Sequence, residues 1–136
     1  MKKLLIIEDN EQNLYMMRYL LERKGYRIIS AENGPDGIEL AKSETPDGIL
    51  LDIQLPEMDG YEVASRLKKI PCICSIPIIA VTSYAMPGDR KQALRAGADG
   101  YIEKPVDPDT FAETIGQFLV SYRTSGGEDY HEYPDS

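Results

Sequence analysis

The sequence predicts an α/β domain in which five parallel strands form a doubly wound sheet, with five helices as crossovers. Five short apolar runs recur every 21 to 29 residues, and helical periodicity lies between them. The runs are apolar throughout rather than alternating, which is typical of parallel strands buried on both faces. Parallel neighbours need a crossover connection, so strand and helix alternate along the chain. The predicted strands begin at Leu4, Ile28, Ile49, Ile78 and Tyr101.

The first two helices are predicted from apolar spacing and from the residues at their ends. Leu14, Met17 and Leu21 are spaced i, i+3 and i+7, which places them on one buried helical face. Gly25 follows as a candidate C-terminal cap, because glycine readily adopts the left-handed conformation that ends many helices. The second helix spans residues 35–42, since its proline suits the first helical turn.

The last three helices differ in the apolar surface that they offer. Val63, Leu67 and Ile70 form the stripe of the third helix, which Pro71 closes. The fourth helix has only Leu94 and small alanines to bury, so we predict that it is the weakest. The fifth carries the longest stripe, formed by Phe111, Ile115, Phe118, Leu119 and Tyr122.

Composition and charge predict one cytoplasmic domain followed by an acidic tail. The net charge of −8 disfavours non-specific binding to nucleic acid or anionic membranes. We expect a folded domain over residues 1–122 and a disordered tail over residues 123–136, where apolar periodicity stops. The apolar run at residues 4–7 is too short for a signal peptide. Two cysteines and one histidine cannot supply four zinc ligands, which fits free thiols in a reducing cytoplasm.

Polar side chains gather where the predicted strands end. The first strand ends at Glu8 and Asp9, the third at Asp52, the fourth at Thr82 and the fifth near Lys104. Because the carboxyl ends of parallel strands share one edge of the sheet, these groups are expected to converge there. Three converging carboxylates repel one another and need a cation, and oxygen-only ligands with room for water suit Mg²⁺. A carboxylate among them can act as a nucleophile and form an aspartyl-phosphate.

Four motifs carry a resemblance to a known family. In order and spacing, "IIEDN", "LLDIQLPEMDG", "IIAVTSYA" and "GYIEKP" resemble the signatures of the response-regulator receiver domain over residues 3–122. The chain looks most similar to single-domain regulators of the CheY and DivK type. The resemblance implies the strand order 2-1-3-4-5 and a cis Lys104–Pro105 bond.

The resemblance also implies a role for each residue of the site. Asp52 would be the phosphoacceptor, Thr82 and Tyr101 the switch residues, and Lys104 the phosphate-contacting lysine. The implied Mg²⁺ ligands are Glu8, Asp9, Asp52 and the backbone carbonyl of Gln54. Gln54 and Tyr84 flank the site, and we expect them to obstruct the water that would hydrolyse an aspartyl-phosphate.

The function that the resemblance implies is that of a stand-alone response regulator. A histidine kinase or a histidine phosphotransfer protein would donate the phosphoryl group from a phosphohistidine. Phosphorylation would switch the surface of the fourth helix, fifth strand and fifth helix, which would control a protein partner, without nucleic-acid binding or membrane insertion. Such a protein is not an enzyme for an external substrate, since it catalyses only its own phosphoryl transfer and slow autodephosphorylation.

Several site residues also have purely structural readings. Glu8, Asp9 and Asn10 could cap the first helix, because acids and asparagine favour helix N-termini. Asp52 could be a turn residue and Lys104 an exposed loop residue. Thr82 and Tyr101 could serve strand formation and packing alone. Met16, Tyr19 and Leu20 are either half-buried or form an apolar docking face for a kinase or a phosphotransfer helix bundle.

Three other functions compete. A phosphohydrolase with an aspartyl nucleophile, of the haloacid-dehalogenase type, needs a second Asp where this chain has Gln54. A flavodoxin-like cofactor binder needs a phosphate loop without acids, whereas the first loop here is acidic. A receiver that works unphosphorylated as a scaffold would carry the same motifs.

Overall fold

The computed structural model describes residues 2–56, 58–83 and 88–124, and for residues 121–124 it describes the backbone alone. Within this part of the chain the predicted alternation of five strands and five helices is confirmed. The strands are β1 (Lys3–Ile7), β2 (Arg27–Ala31), β3 (Gly48–Asp52), β4 (Ile78–Thr82) and β5 (Gly100–Glu103). The helices are α1 (Glu11–Glu22), α2 (Gly34–Glu44), α3 (Gly60–Lys68), α4 (Asp89–Ala96) and α5 (Phe111–Thr124).

All five strands pair in parallel, in the order β2-β1-β3-β4-β5. The order implied by the family resemblance is therefore confirmed, and the Lys104–Pro105 bond is cis, as that resemblance implies. Ile7 at the end of β1 pairs with Leu51, and Asp52 at the end of β3 pairs with Val81. This register brings the carboxyl ends of the three central strands to one edge of the sheet.

Strand β3 lies at the centre of two apolar cores, one on each face of the sheet. Ile49 and Leu51 belong to one core cluster, and Leu50 belongs to the other. Every residue of β3 is buried, and full burial of a large aliphatic side chain contributes about 1.5–3 kcal/mol. The strand that carries Asp52 is therefore fixed from both sides.

The loop after α1 confirms the predicted role of Gly25. Its φ is +95°, in the region that favours glycine, and its N–H donates to the Glu22 carbonyl at 3.0 Å. The N–H of Tyr26 donates to the Leu21 carbonyl at 3.2 Å, which completes a Schellman arrangement. The chain can therefore reverse sharply from α1 into β2.

Two details of the helices differ from the sequence prediction. Helix α3 ends at Lys68, so Ile70 packs from the following turn, where Ile73 is fully buried. In α4 the buried residue is Ala93, whereas Leu94 is only half-buried. A short helix lying close to its neighbours can bury a methyl group where it has no room for a larger side chain.

Helix ends and the tail complete the comparison. Helix α2 begins one residue before the predicted range and continues to Glu44. Helix α5 continues to Thr124, and residues 125–136, including His131, lie outside the described residues, so the acidic tail stays a prediction. The side chain of Tyr122 and the whole of Tyr84 lie outside them as well. In the described part of the chain, no helix combines the length and apolarity needed to span a membrane.

Candidate functional site

Three carboxylates meet at the edge where β1 and β3 end. The side chains of Glu8, Asp9 and Asp52 each offer an oxygen atom, and these atoms lie within 4.8 Å of one another. Glu8 and Asp52 are buried, at 1% and 4% exposure, whereas Asp9 is exposed at the mouth. The predicted convergence of these three acids is confirmed as geometry.

Asp52 is held by its own loop and lies near one ammonium group. The backbone N–H of Gln54 donates to Asp52 Oδ1 at 2.9 Å, and Lys104 Nζ lies 3.6 Å from Oδ2. Burial raises the pKa of Asp52 to about 7, and the neighbouring Glu8 adds to this, while the Gln54 N–H and Lys104 oppose it. Near neutral pH, the carboxyl group is therefore poised between its protonated and ionised forms.

Lys104 lies closer to Glu8 than to Asp52. Its Nζ atom is 2.8 Å from Glu8 Oε1, as an ion pair whose angles are not those of a hydrogen bond. Glu8 Oε2 accepts a hydrogen bond from the Asn10 N–H at 3.2 Å, whereas the buried Oε1 has no hydrogen-bond partner among the described residues. A buried carboxylate oxygen without a donor is unfavourable and is available to a cation.

The donor set fits a magnesium ion. One lysine faces three carboxylates, so the cluster retains excess negative charge when all three are ionised. All the donors are oxygen atoms, and the exposed Asp9 leaves one side of the cluster open to water. Mg²⁺ prefers one or a few carboxylates and keeps several water ligands. The unpartnered Glu8 oxygen is the most direct sign that these residues suit a cation.

Thr82 and Tyr101 lie on the neighbouring strands β4 and β5. Thr82 is the last residue of β4 and is buried, and its carbonyl accepts the Lys104 N–H at 2.8 Å. Tyr101 is buried at 8% exposure, and the Arg90 guanidinium lies 5.5 Å from the centroid of its ring. Both residues are placed where a change at Asp52 could reach them, and their switch roles stay predictions.

The acidic residues after β1 divide between two roles. Asn10 caps α1, because its side chain accepts the Asn13 N–H at 2.8 Å. Glu8 and Asp9 instead belong to the carboxylate cluster. Capping and the carboxylate site therefore coexist in one short segment.

The candidate docking face on α1 separates in the same way. Met16 and Leu20 are half-buried against the apolar core, which is the structural reading of these residues. Tyr19 is 49% exposed and stacks on Tyr15, with the two ring centroids 6.5 Å apart. The exposed surface of α1 is thus aromatic rather than aliphatic.

Gly60 supports the site in a way that the sequence analysis did not anticipate. A Cβ atom at Gly60 would lie 2.5 Å from Ile53 Cα and 2.6 Å from the Asp52 carbonyl oxygen. Asp59 caps α3 by accepting the Glu62 N–H at 3.0 Å, which turns the chain back against β3. The Asp-Gly pair before the helix was the available signal, but the close approach to β3 is a tertiary feature.

Comparison with known proteins is consistent with this geometry. The family model of the response regulator receiver domain matches residues 4–116. The polar-differentiation response regulator DivK of Brucella anthropi is 44% identical over 118 residues, which cover 87% of this chain and 96% of the relative. DivK of Brucella ovis is 43% identical over the same shares.

Solved structures agree in fold. A CheY-like response regulator receiver domain from Methanospirillum hungatei JF-1 superposes with a TM-score of 0.84 and 32% identity, over 93% of this chain and 99% of that one. The receiver domain of a sensor histidine kinase from Pseudomonas aeruginosa PAO1 gives a TM-score of 0.81 and 29% identity, over 88% and 98%. That second structure has a magnesium ion coordinated in its active-site cleft.

Proposed function

This chain belongs to the response regulator receiver domain family, and from that premise we propose that it is a stand-alone response regulator phosphorylated on Asp52. The observation that carries the proposal is the buried Asp52 in a cluster of three carboxylates beside Lys104. A rigid strand presents this carboxyl group at the edge of the sheet, where a partner protein can reach it.

The proposed reaction is phosphoryl transfer from a phosphohistidine. A carboxylate oxygen of Asp52 attacks phosphorus, an O–P bond forms, and the N–P bond breaks with its electron pair returning to the imidazole nitrogen. Asp52 must be ionised to attack, which its pKa of about 7 allows for part of the population at neutral pH. Lys104 is close enough to balance the negative charge that the phosphoryl group brings.

Glu8, Asp9 and Asp52, with the backbone carbonyl of Gln54, would hold the magnesium ion. Their support is the cluster geometry and the unpartnered Glu8 oxygen. When bound, Mg²⁺ supplies positive charge that stabilises phosphoryl oxygens during transfer. The Gln54 N–H already orients Asp52, so the loop that would provide the carbonyl is tied to the nucleophile.

Signal output is proposed to pass through Thr82 and Tyr101. The Thr82 hydroxyl would donate to a phosphoryl oxygen, and Tyr101 would follow it inwards. Phosphorylation would then shift a two-state balance at the surface formed by α4, β5 and α5. The phosphodonor would be a histidine kinase or a histidine phosphotransfer protein, and the output partner a cytoplasmic protein rather than nucleic acid.

The switching part of this proposal is tested by amide chemical shifts with and without BeF₃⁻ in the presence of Mg²⁺. We expect the largest shifts near Asp52, Thr82 and Tyr101, with further shifts across the α4–β5–α5 surface. Asp52→Asn should abolish them, because the analogue must attach to a carboxylate. Shifts confined to the metal ligands in the wild type would leave metal binding in place and contradict the switch.

A phosphohydrolase remains the less supported alternative. The residue two positions after Asp52 is Gln54, whose exposed amide side chain cannot act as a general acid or base. Turnover of an external phosphomonoester that depends on Asp52 would favour this alternative.

A further inference from the structure

Side chains from three elements converge beside the start of α4. Tyr61 comes from α3, Asp89 from α4 and Tyr101 from β5. The Tyr61 hydroxyl donates a hydrogen bond to the Asp89 carboxylate. Burial raises the pKa of Tyr101, and the nearby Asp89 carboxylate and Tyr61 hydroxyl raise it further. The two hydroxyls and the carboxylate therefore form one polar cluster.

The two tyrosines differ in how well their hydroxyls are satisfied. Tyr101 is buried at 8% exposure, and its hydroxyl has no hydrogen-bond partner among the described residues. Tyr61 is half-buried and packs against the edge of the core cluster that contains Tyr101. A buried hydroxyl without a partner is unfavourable, whereas a half-buried one can exchange its partner for water.

We propose that Tyr61 and Tyr101 compete for the Asp89 carboxylate. In the described state Tyr61 holds it, and in the alternative state the Tyr101 hydroxyl takes it while that of Tyr61 turns to water. The exchange removes the unsatisfied buried hydroxyl at the cost of a bond that solvent can replace. Asp89 thereby becomes a positioning residue that decides how firmly Tyr101 is held in its buried place.

This competition would connect the phosphoacceptor loop to α4. Tyr61 directly follows Gly60, whose backbone packs against the Asp52 carbonyl, so a shift of that loop moves Tyr61 relative to Asp89. The connection differs from the proposed route through Thr82, because it leaves β3 through α3 rather than through β4. Its signalling consequence rests on the proposed function, whereas the competition itself does not.

A double-mutant cycle in urea, without any phosphodonor, tests the competition. In the wild type, Tyr61→Phe should change the unfolding equilibrium constant by less than about twofold, because Tyr101 takes over Asp89. In a Tyr101→Phe background, the same change should raise the constant by about fivefold or more, because no hydroxyl remains to replace it. Additive effects would overturn the proposal.

Two controls keep the cycle specific. Tyr15→Phe, at a 71% exposed site on α1, should have the same small effect in both backgrounds. In an Asp89→Ala background, Tyr61→Phe and Tyr101→Phe should become additive, since the shared acceptor is gone. Persistent non-additivity there would show that the tyrosines interact through packing and would overturn the role of Asp89.

The link to signalling has a separate measurement. If Tyr101 is buried more firmly once Tyr61 is lost, Tyr61→Phe should tighten BeF₃⁻ binding at least about twofold, while Tyr15→Phe leaves it unchanged. An unchanged affinity beside a non-additive cycle would overturn the connection to the phosphoacceptor loop. A wild type that binds no BeF₃⁻ would contradict the proposed function, and the urea cycle would still decide the competition.

Discussion

Asp52 combines the burial of a core residue with the chemistry of a surface one. Its ordinary pKa of 3.8 rises to about 7 in the folded chain, chiefly through burial. Between these two values the metal-free native protein keeps a proton that the unfolded chain has released. Stability therefore falls as the pH rises from about 4 to about 7, because the native state binds more protons.

The first prediction follows from this sign. In magnesium-free buffer at about pH 8, Asp52→Asn should raise the free energy of unfolding by about 2–4 kcal/mol, since it removes a buried charge. The gain should shrink as the pH is lowered towards 4. Urea unfolding with a chelator measures both effects, and an Asn variant no more stable than wild type at about pH 8 would contradict the assignment.

Lys104 supports the second prediction. It is the cation that lies 2.8 Å from the buried Glu8 and 3.6 Å from Asp52, so Lys104→Met leaves two buried carboxyl groups without it. We expect a loss of about 2–3 kcal/mol in metal-free stability and tighter Mg²⁺ binding, because a competing positive charge is gone. Thermal unfolding with and without Mg²⁺ measures both.

A matched control for Lys104 lies on α2. Lys42 pairs with Glu39 at 3.3 Å, but the two side chains are 47% and 74% exposed. Lys42→Met should therefore change stability by less than about 0.5 kcal/mol and leave Mg²⁺ affinity unchanged. Equal effects of the two lysine substitutions would show that Lys104 has no special place in the site.

At the scale of elements, the turn from β3 into α3 sets the geometry of the phosphoacceptor. The Gly60 N–H donates to the Ile53 carbonyl at 2.8 Å, and the Asp59 side chain caps the helix that begins there. The loop is thus closed by backbone contact, with no room for a side chain at Gly60. Helix α3 is held against the strand that carries Asp52.

The third prediction concerns this contact. Gly60→Ala should cost about 2 kcal/mol or more, because the new methyl group meets backbone atoms that cannot turn away, and it should slow phosphorylation of Asp52. Gly116→Ala in α5 is the control, since its Cβ would meet only the Tyr26 hydroxyl at 3.3 Å. Unfolding and phosphorylation rates that match between the two variants would refute the role given to Gly60.

A second contact between elements was invisible in the sequence. Lys68 Nζ lies 3.0 Å from Asp99 Oδ2 and 3.2 Å from the Cys74 carbonyl, and the same Asp99 oxygen accepts the Ile78 N–H at 2.8 Å. These bonds join the end of α3 to the starts of β4 and β5. The participants are 31 residues apart at most, and only the packed fold brings them together.

At the scale of the whole molecule, the sequence predicts topology well and close contacts poorly. Apolar runs and their spacing predict all five strands, and the motif order predicts that Glu8, Asp52 and Lys104 share one edge. Which carboxylate Lys104 approaches more closely, and whether Ala93 or Leu94 faces the core, depend on differences of an ångström or of a small helix rotation. Such differences follow from packing among distant residues, which periodicity does not record.

Metal binding is the property through which the folded molecule is expected to favour phosphorylation. Mg²⁺ that binds the native state alone should raise the midpoint of thermal unfolding as its concentration increases, by mass action. Asp9→Ala should weaken this dependence with little change in metal-free stability, because Asp9 is the exposed member of the cluster. Calorimetric titration with Mg²⁺ measures the affinity directly, and an Asp9→Ala variant with wild-type affinity would contradict its assignment as a ligand.

The most direct test of the central claim is intact mass spectrometry after incubation with acetyl phosphate, with and without Mg²⁺. The account predicts a mass increase of one phosphoryl group that requires Mg²⁺, maps to Asp52 and is absent from Asp52→Asn. A wild-type protein that stays unmodified in Mg²⁺, or a variant that is modified equally well, would contradict it.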